Sequence, residues 1–280
     1  MKKAEETKTL QDLLRDQLAK MDKEEAQPSP PIPRNQKPEA ISSKATPPPI
    51  VLETPAEKIA AVREILAKHF PGFEIDEHNG PVIDAISLYM FNDPAFEKIS
   101  PEICANPSLR KGILIGGPVG TGKSLLLKIF ADISNKFNPF HVKRYSFQST
   151  RSVVGEYRDK LRLKEPVTLI RELGLKDFRK LNDGTKEPRS RCFDGIGEEL
   201  MNGPIRDYGN TLNVFMEILA DRYDMFIDHG MLTHGSTNCD AGELEEFYSL
   251  RMLSRFRQMF NSFELKGRDR RPDGKIIRLM

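Results

Sequence analysis

Leu10, Leu13, Leu14, Leu18 and Met21 recur at three- and four-residue intervals, so residues 9–21 are predicted to form an amphipathic helix, with Thr9 as N-cap and Asp12 three residues on. The pattern then breaks. Nine prolines between Pro28 and Pro55 deny the chain backbone donors and fix φ, so residues 26–55 read as an extended, solvated linker that carries the first helix at a distance. Periodicity resumes near Ala56: Ile59, Val62, Ile65, Leu66 and Phe70 lie on one helical face, ended by Pro71-Gly72, and a second helix is predicted over 82–91, after Gly80-Pro81.

Beyond residue 110 the pattern alternates between short apolar runs and helical periods. Strands are predicted over 112–116, 141–147, 191–194 and 230–236; helices open at Ser124, span 150–161, and start behind an N-cap at Asn210 or Thr211 to carry Val214, Phe215, Ile218 and Leu219. A last helix contains Leu250, Leu253 and Phe256. Residues 162–188 mix short helical pieces with the turn chemistry of Asn182-Asp183-Gly184. Strands alternating with helices imply a parallel sheet with right-handed crossovers, an α/β architecture. The organisation predicted is an amino-terminal helix over 1–25, the linker over 26–55 and one folded domain over 56–280, whose early helices form an extension.

The first apolar strand runs into Gly117-Pro118-Val119-Gly120-Thr121-Gly122-Lys123-Ser124, a G-x-x-x-x-G-K-S loop opening a helix at Ser124 and Leu125. Glycines allow φ > 0 and close backbone approach, so consecutive N–H groups and the helix N-terminus can wrap a triphosphate. Lys123 is suited to the β/γ-phosphates and Ser124 to Mg²⁺, which makes ATP with Mg²⁺ the expected ligand. Asp194, at the end of the apolar strand Cys192-Phe193, is the expected second metal residue, acting through water. An amide after the 230–236 strand, Asn238, can position the attacking water.

Composition narrows the classes. A formal charge of +2 over 280 residues gives no general attraction to nucleic acid, although Lys143, Arg144, Arg151, Arg158, Lys160 and Arg162 gather in one stretch. Cys104, Cys192 and Cys239 lack paired spacing, and His69, His78, His141, His229 and His234 lack metal-ligand spacing, so neither a disulfide framework nor a zinc site is expected. No run reaches the length of a membrane span and the charged amino terminus lacks a signal peptide's apolar segment, so a cytoplasmic protein without membrane contact is expected.

Taken together, the loop Gly117 to Ser124, the Phe193-Asp194-Gly195-Ile196-Gly197 strand end, Ser236-Thr237-Asn238, Ser254-Arg255-Phe256 and the terminal Gly267-x-Asp269-x-Arg271 resemble, in order and spacing, the AAA+ P-loop ATPases of the DnaC/IstB-like group, bacterial helicase loaders and transposition helpers. The resemblance implies a three-layer P-loop fold and assigns Walker A, Walker B, sensor 1, an arginine finger at Arg255 acting across a subunit interface, and Arg271 as a γ-phosphate sensor. It implies an ATP-dependent homo-oligomer that engages single-stranded DNA and loads or remodels a replicative helicase, or in the transposition branch serves a transposase-like protein on DNA. Two departures stand out. Gly195 occupies the position of the family's second Walker B acid, leaving Glu198 or Glu199 as substitutes or hydrolysis absent, in which case the chain is a nucleotide-gated scaffold. Nine residues follow Arg271, so no helical lid is expected at the carboxyl end.

Overall fold

The computed structural model describes residues 52–136, 143–162, 166–200, 205–207 and 210–270. The predicted amino-terminal helix, nearly all of the proline-rich segment, and Arg271 lie outside them. Helix α1, Pro55–His69, starts at a capping box: the Thr54 side chain accepts from the Glu57 N–H, and Glu57 returns the bond to the Thr54 N–H. Ala61, Val62, Ile65 and Leu66 form its buried stripe. Helix α2, Gly80–Met90, begins two residues earlier than predicted, because Pro81 sits in the first turn, where its missing donor costs nothing.

Strand β1, Gly112–Gly116, leads through the phosphate loop into α3, Lys123–Lys136. Strand β2 is Ser146–Ser149, so the predicted 141–147 strand is shifted toward the carboxyl end; α4, Thr150–Arg162, follows directly. Short helix α5, Pro166–Leu173, precedes an antiparallel hairpin that the turn residues only hinted at: β3, Phe178–Lys180, and β4, Lys186–Pro188. Strand β5, Arg191–Asp194, is as predicted.

Two corrections follow. Residues Asn210–Leu212 form strand β7, paired with β6, Ile205–Asp207, so neither Asn210 nor Thr211 is a cap; Asn213 is, its side chain accepting from the Met216 N–H, and α6 is Val214–His229. Gly230 is the left-handed C-cap of α6, at φ 67°, so β8 is confined to Thr233–Ser236. Helix α7, Ala241–Met259, contains a non-helical residue at Ser249, and the chain then enters a strand absent from the sequence reading, β9, Phe260–Glu264.

The central sheet has the order β2-β5-β8-β1-β9, every adjacent pair parallel. Helices α4, α6 and α7 cover one face, where Phe193, Phe215, Tyr157 and Tyr248 share one apolar cluster. Against the other lie α2 and α3: Tyr89 meets His234 edge-on, and the Tyr145 hydroxyl donates to the Leu127 carbonyl at 2.7 Å. Helical layers therefore cover both faces of a parallel sheet, three layers in all, as α/β crossovers require. The phosphate loop lies beyond the carboxyl end of β1, at the sheet edge where Asp194 and Ser236 also end their strands.

Candidate nucleotide site

Three glycines give the loop its curvature, with φ of 135°, 84° and 96° at Gly117, Gly120 and Gly122. At Gly117 a Cβ would lie 2.4 Å from the Leu265 carbonyl oxygen, so the first glycine is required by close packing as well as by dihedral angle. The Thr121 hydroxyl donates to the Pro118 carbonyl at 3.0 Å, bracing the turn. Lys123 is 5% exposed, and its ammonium donates to the Gly117 and Pro118 carbonyls at 2.6 Å each. Those partners keep the charge at the loop's rim, ready to exchange for phosphate oxygens. Ser124 is exposed in the first turn of α3 and Leu125 is half-buried behind it. Curved backbone, helix N-terminus and a loop-held lysine fit a polyphosphate, and Ser124 and Asp194 supply the hard oxygens that Mg²⁺ takes.

The strand ends opposite are tied together by short polar bonds. The Ser236 hydroxyl donates to Asp194 Oδ1 at 2.5 Å and accepts from the Gly195 N–H at 3.0 Å. Thr150 Oγ1 donates to the Gly195 carbonyl at 2.7 Å, Thr237 Oγ1 donates to the Ile196 carbonyl at 2.8 Å, and the Thr237 N–H donates to the Ile115 carbonyl at 3.0 Å, which links this network to the strand before the phosphate loop. Ser236 thus fixes the Asp194 carboxylate, a role the sequence did not reveal, although a hydroxyl one strand away from an acid is a detectable signal.

Beyond Asp194 the chain turns through Gly195 at φ 79° and Gly197 at φ 96° into a 3-10 turn, Glu198–Leu200. This turn brings Glu198 back over Gly195: a Cβ on Gly195 would sit 2.9 Å from the Glu198 carboxyl carbon. The Asn238 side-chain amide donates to Glu198 Oε1, and Arg151 pairs with Oε2 at 3.2 Å. So the structure brings Asp194, Glu198 and Asn238 together, and a carboxylate three residues downstream fills the space that a side chain at 195 would take.

Glu199 turns the other way. It is 6% exposed, accepts from the Gly197 N–H at 3.0 Å and receives the Tyr248 hydroxyl, and burial pushes its carboxyl up to about 7. It holds the turn and is no candidate for work in the open site.

Arg255 lies on α7 with its guanidinium 4.6 Å from the Tyr223 ring centroid, on the α6/α7 flank rather than beside the chain's own phosphate loop. Near the carboxyl end the sequence reading missed the residues that reach the loop. The Arg270 N–H donates to the Gly120 carbonyl at 2.9 Å, its guanidinium pairs with Asp76 at 2.6 Å, and the Asp269 carboxylate packs on Gly120, where a Cβ would fall 2.1 Å from its carboxyl carbon.

No protein-family model matches the chain, and no curated protein matches it. Among solved structures it is similar to the DnaC helicase loader, with 14% identity and a TM-score of 0.45 over 69% of this chain and 93% of that one. It is similar to DnaI, with 19% identity and a TM-score of 0.43 over 73% of this chain and 94% of that one, and to AMPPCP-bound DnaA from Aquifex aeolicus, with 17% identity and a TM-score of 0.44 over 73% and 52%. Its parallel five-stranded sheet, flanking helices and phosphate loop make the chain a three-layer α/β fold of the P-loop type.

Proposed function

We propose that the chain is a Mg²⁺-dependent ATPase that assembles with copies of itself through Arg255, engages single-stranded DNA, and loads or remodels a replicative helicase in the cytoplasm. The observation that carries the catalytic part is the placement of Glu198 between Asn238 and the space above Gly195. Lys123 and the loop N–H groups bind the phosphates; Ser124 and Asp194 hold Mg²⁺, which when bound neutralises phosphate charge. Glu198 takes the proton of the attacking water, and Asn238 fixes the carboxylate's orientation. Arg255, which lies over the Tyr223 ring, would serve a neighbouring subunit's site.

Support for the DNA and helicase parts comes from the motif resemblance, and the amphipathic helix and proline-rich linker expected from the sequence ahead of α1 would provide a tethered element for partner capture. A second reading, a nucleotide-gated scaffold without turnover, is favoured by Gly195 alone. Titration calorimetry with ATP·Mg²⁺ on the native chain and on Lys123→Ala, run beside phosphate-release assays, tests both. Tight binding lost in the variant, with native turnover, is expected. Unchanged affinity would remove the nucleotide reading, and binding without turnover would leave the scaffold.

A further inference from the structure

A second basic site lies at the opposite edge of the sheet. Ser146 opens β2, Ser190 precedes β5 and Leu232 precedes β8; together with Arg144, Arg179 and Arg189 they line an open cavity of about 740 Å³ walled on one side by the β3–β4 hairpin. Strands of four or five residues separate this edge from the phosphate loop by roughly 13–17 Å, so a nucleotide in the loop does not reach it.

Charge here is not balanced. Asp177 faces Arg189, Arg191 and Arg222, and Glu187 pairs with Arg179. Lys143 donates to the Leu109 carbonyl and lies 4.0 Å from the Tyr89 ring centroid, while Arg144 has no ion pair among the described residues. Six cations therefore meet three carboxylates, the third being Glu97, which acts on Lys143. His234 feels this charge: it is held down to about 3, by burial first and then by Lys143 and Arg222, while burial alone brings Lys143 down to about 8 against the pull of Glu97. Arg222 is fully buried and spends all its donors internally, on Thr233, Asp177 and the carbonyls of Leu173, Arg189 and Leu232, so it contributes field without being available for contact. The Ser146 hydroxyl, on the cavity wall, is buried without a hydrogen-bond partner.

The lining selects the ligand. Three guanidinium groups, a lysine and neutral donors such as Asn135 and Ser146 are the groups that meet phosphate oxygens. An acidic peptide needs an apolar anchor pocket for affinity, and a free nucleotide needs a slot for its base; Tyr145 in the lining is buried, which leaves the half-buried Pro188 and Leu232 as the apolar side chains a ligand would meet. We propose that this groove binds the phosphodiester backbone of single-stranded DNA without reading its bases, at the edge of the sheet opposite the nucleotide site. This deepens the strand-engagement part of the proposed function and rests on it.

The test is fluorescence anisotropy of a labelled oligothymidylate of about 20 nucleotides, long enough for several phosphate contacts, with the full chain and two double variants, over a salt series. Arg144→Gln/Arg189→Gln removes two groove cations; Asp177 keeps Arg191 and Arg222, so the fold is expected to persist, and equal melting curves check it. Arg158→Gln/Arg162→Gln on α4 removes the same charge elsewhere. Each phosphate contact contributes about 0.7 to the salt slope of single-strand binding, so the groove double should lower the slope by about 1.4 and weaken binding about 25-fold at 0.1 M salt, taking 1 M as the reference. The α4 double should change it less than about threefold. Equal losses in both doubles, no loss in the groove double, or displacement of the strand by polyglutamate of equal charge each overturns the groove. If the native chain binds no oligothymidylate, the strand-engagement reading fails along with it, while calorimetry with ATP still judges the nucleotide site separately.

Discussion

Replacing Glu198 by glutamine removes the carboxylate that the turn after Asp194 folds back over Gly195, and little else. Glutamine keeps the Oε1 acceptor for the Asn238 amide, so the side chain should stay in place. What it gives up in the folded state is the ion pair with Arg151 at 3.2 Å; Arg151 is 65% exposed, and surface pairs of this kind contribute about 0–1 kcal/mol. Stability should therefore fall by less than about 1 kcal/mol, or a few degrees in melting temperature for a domain of this size. Turnover should fall far more. A positioned general base contributes about 10²–10⁴ in rate, equivalent to roughly 3–5 kcal/mol of barrier. ATP affinity, set by the phosphate loop, should remain within a few-fold of native. The measurement is steady-state phosphate release with saturating ATP·Mg²⁺, paired with calorimetric affinity and a melting curve. If phosphate release persists at more than half the native rate while binding is intact, Glu198 is not the base and the argument from its contact with Gly195 and Asn238 is wrong.

Three further outcomes follow from the same geometry. Gly195→Asp, which would restore an acid next to Asp194, should lower turnover, because φ 79° strains any L side chain by about 1–3 kcal/mol and its Cβ would displace Glu198; a rise in the phosphate-release rate would show that the site tolerates the acid. Glu199, whose folded carboxyl stands near 7 against an ordinary 4.5, adds stability that is complete below about pH 4.5 and lost as pH rises through 7, a change of roughly 3 kcal/mol; melting from pH 4.5 to 8 should show that decline and Glu199→Gln should flatten it. Arg255→Ala should bind ATP normally yet lose ATP-dependent assembly or turnover, and activity should return when mixed with subunits that carry Arg255 but lack Lys123; a variant that hydrolyses at the native rate alone would exclude a role between subunits.

Much of this fold was legible because its signals are local. An apolar stripe at helical spacing from Ile59 to Leu66, an apolar strand before a glycine loop, and a run ending in Asp194 each follow from neighbours in sequence, and α1, β1, α3, α4 and β5 appear where those signals put them. The misplaced elements lack such signals. Strand β9 holds Asn261, whose side-chain amide donates to the Ser108 and Gly112 carbonyls and whose Oδ1 accepts from the Ser108 N–H, so its strand identity is set by residues some 150 positions away. The β3–β4 hairpin is mostly exposed and charged, without the apolar alternation that marks a strand.

The site shows the same division more sharply. Residues suited to phosphates come from one continuous loop and could be named from spacing, whereas those suited to act on the water come from three segments and depend on the register between β5 and β8. Phe193 pairs with Gly235, and Ser236 then reaches Asp194 while Asn238 reaches Glu198. Sequence alone offered Glu198, with Glu199 behind it, as substitutes for the missing acid. The positive φ values at Gly195 and Gly197 separate them, turning Glu198 toward Asn238 and Glu199 into the core against Tyr248. Glycine at 195 is thus the residue that lets the chain fold back tightly enough for an acid three positions later to occupy its place, so its apparent defect as a Walker B residue and the availability of Glu198 have one structural cause.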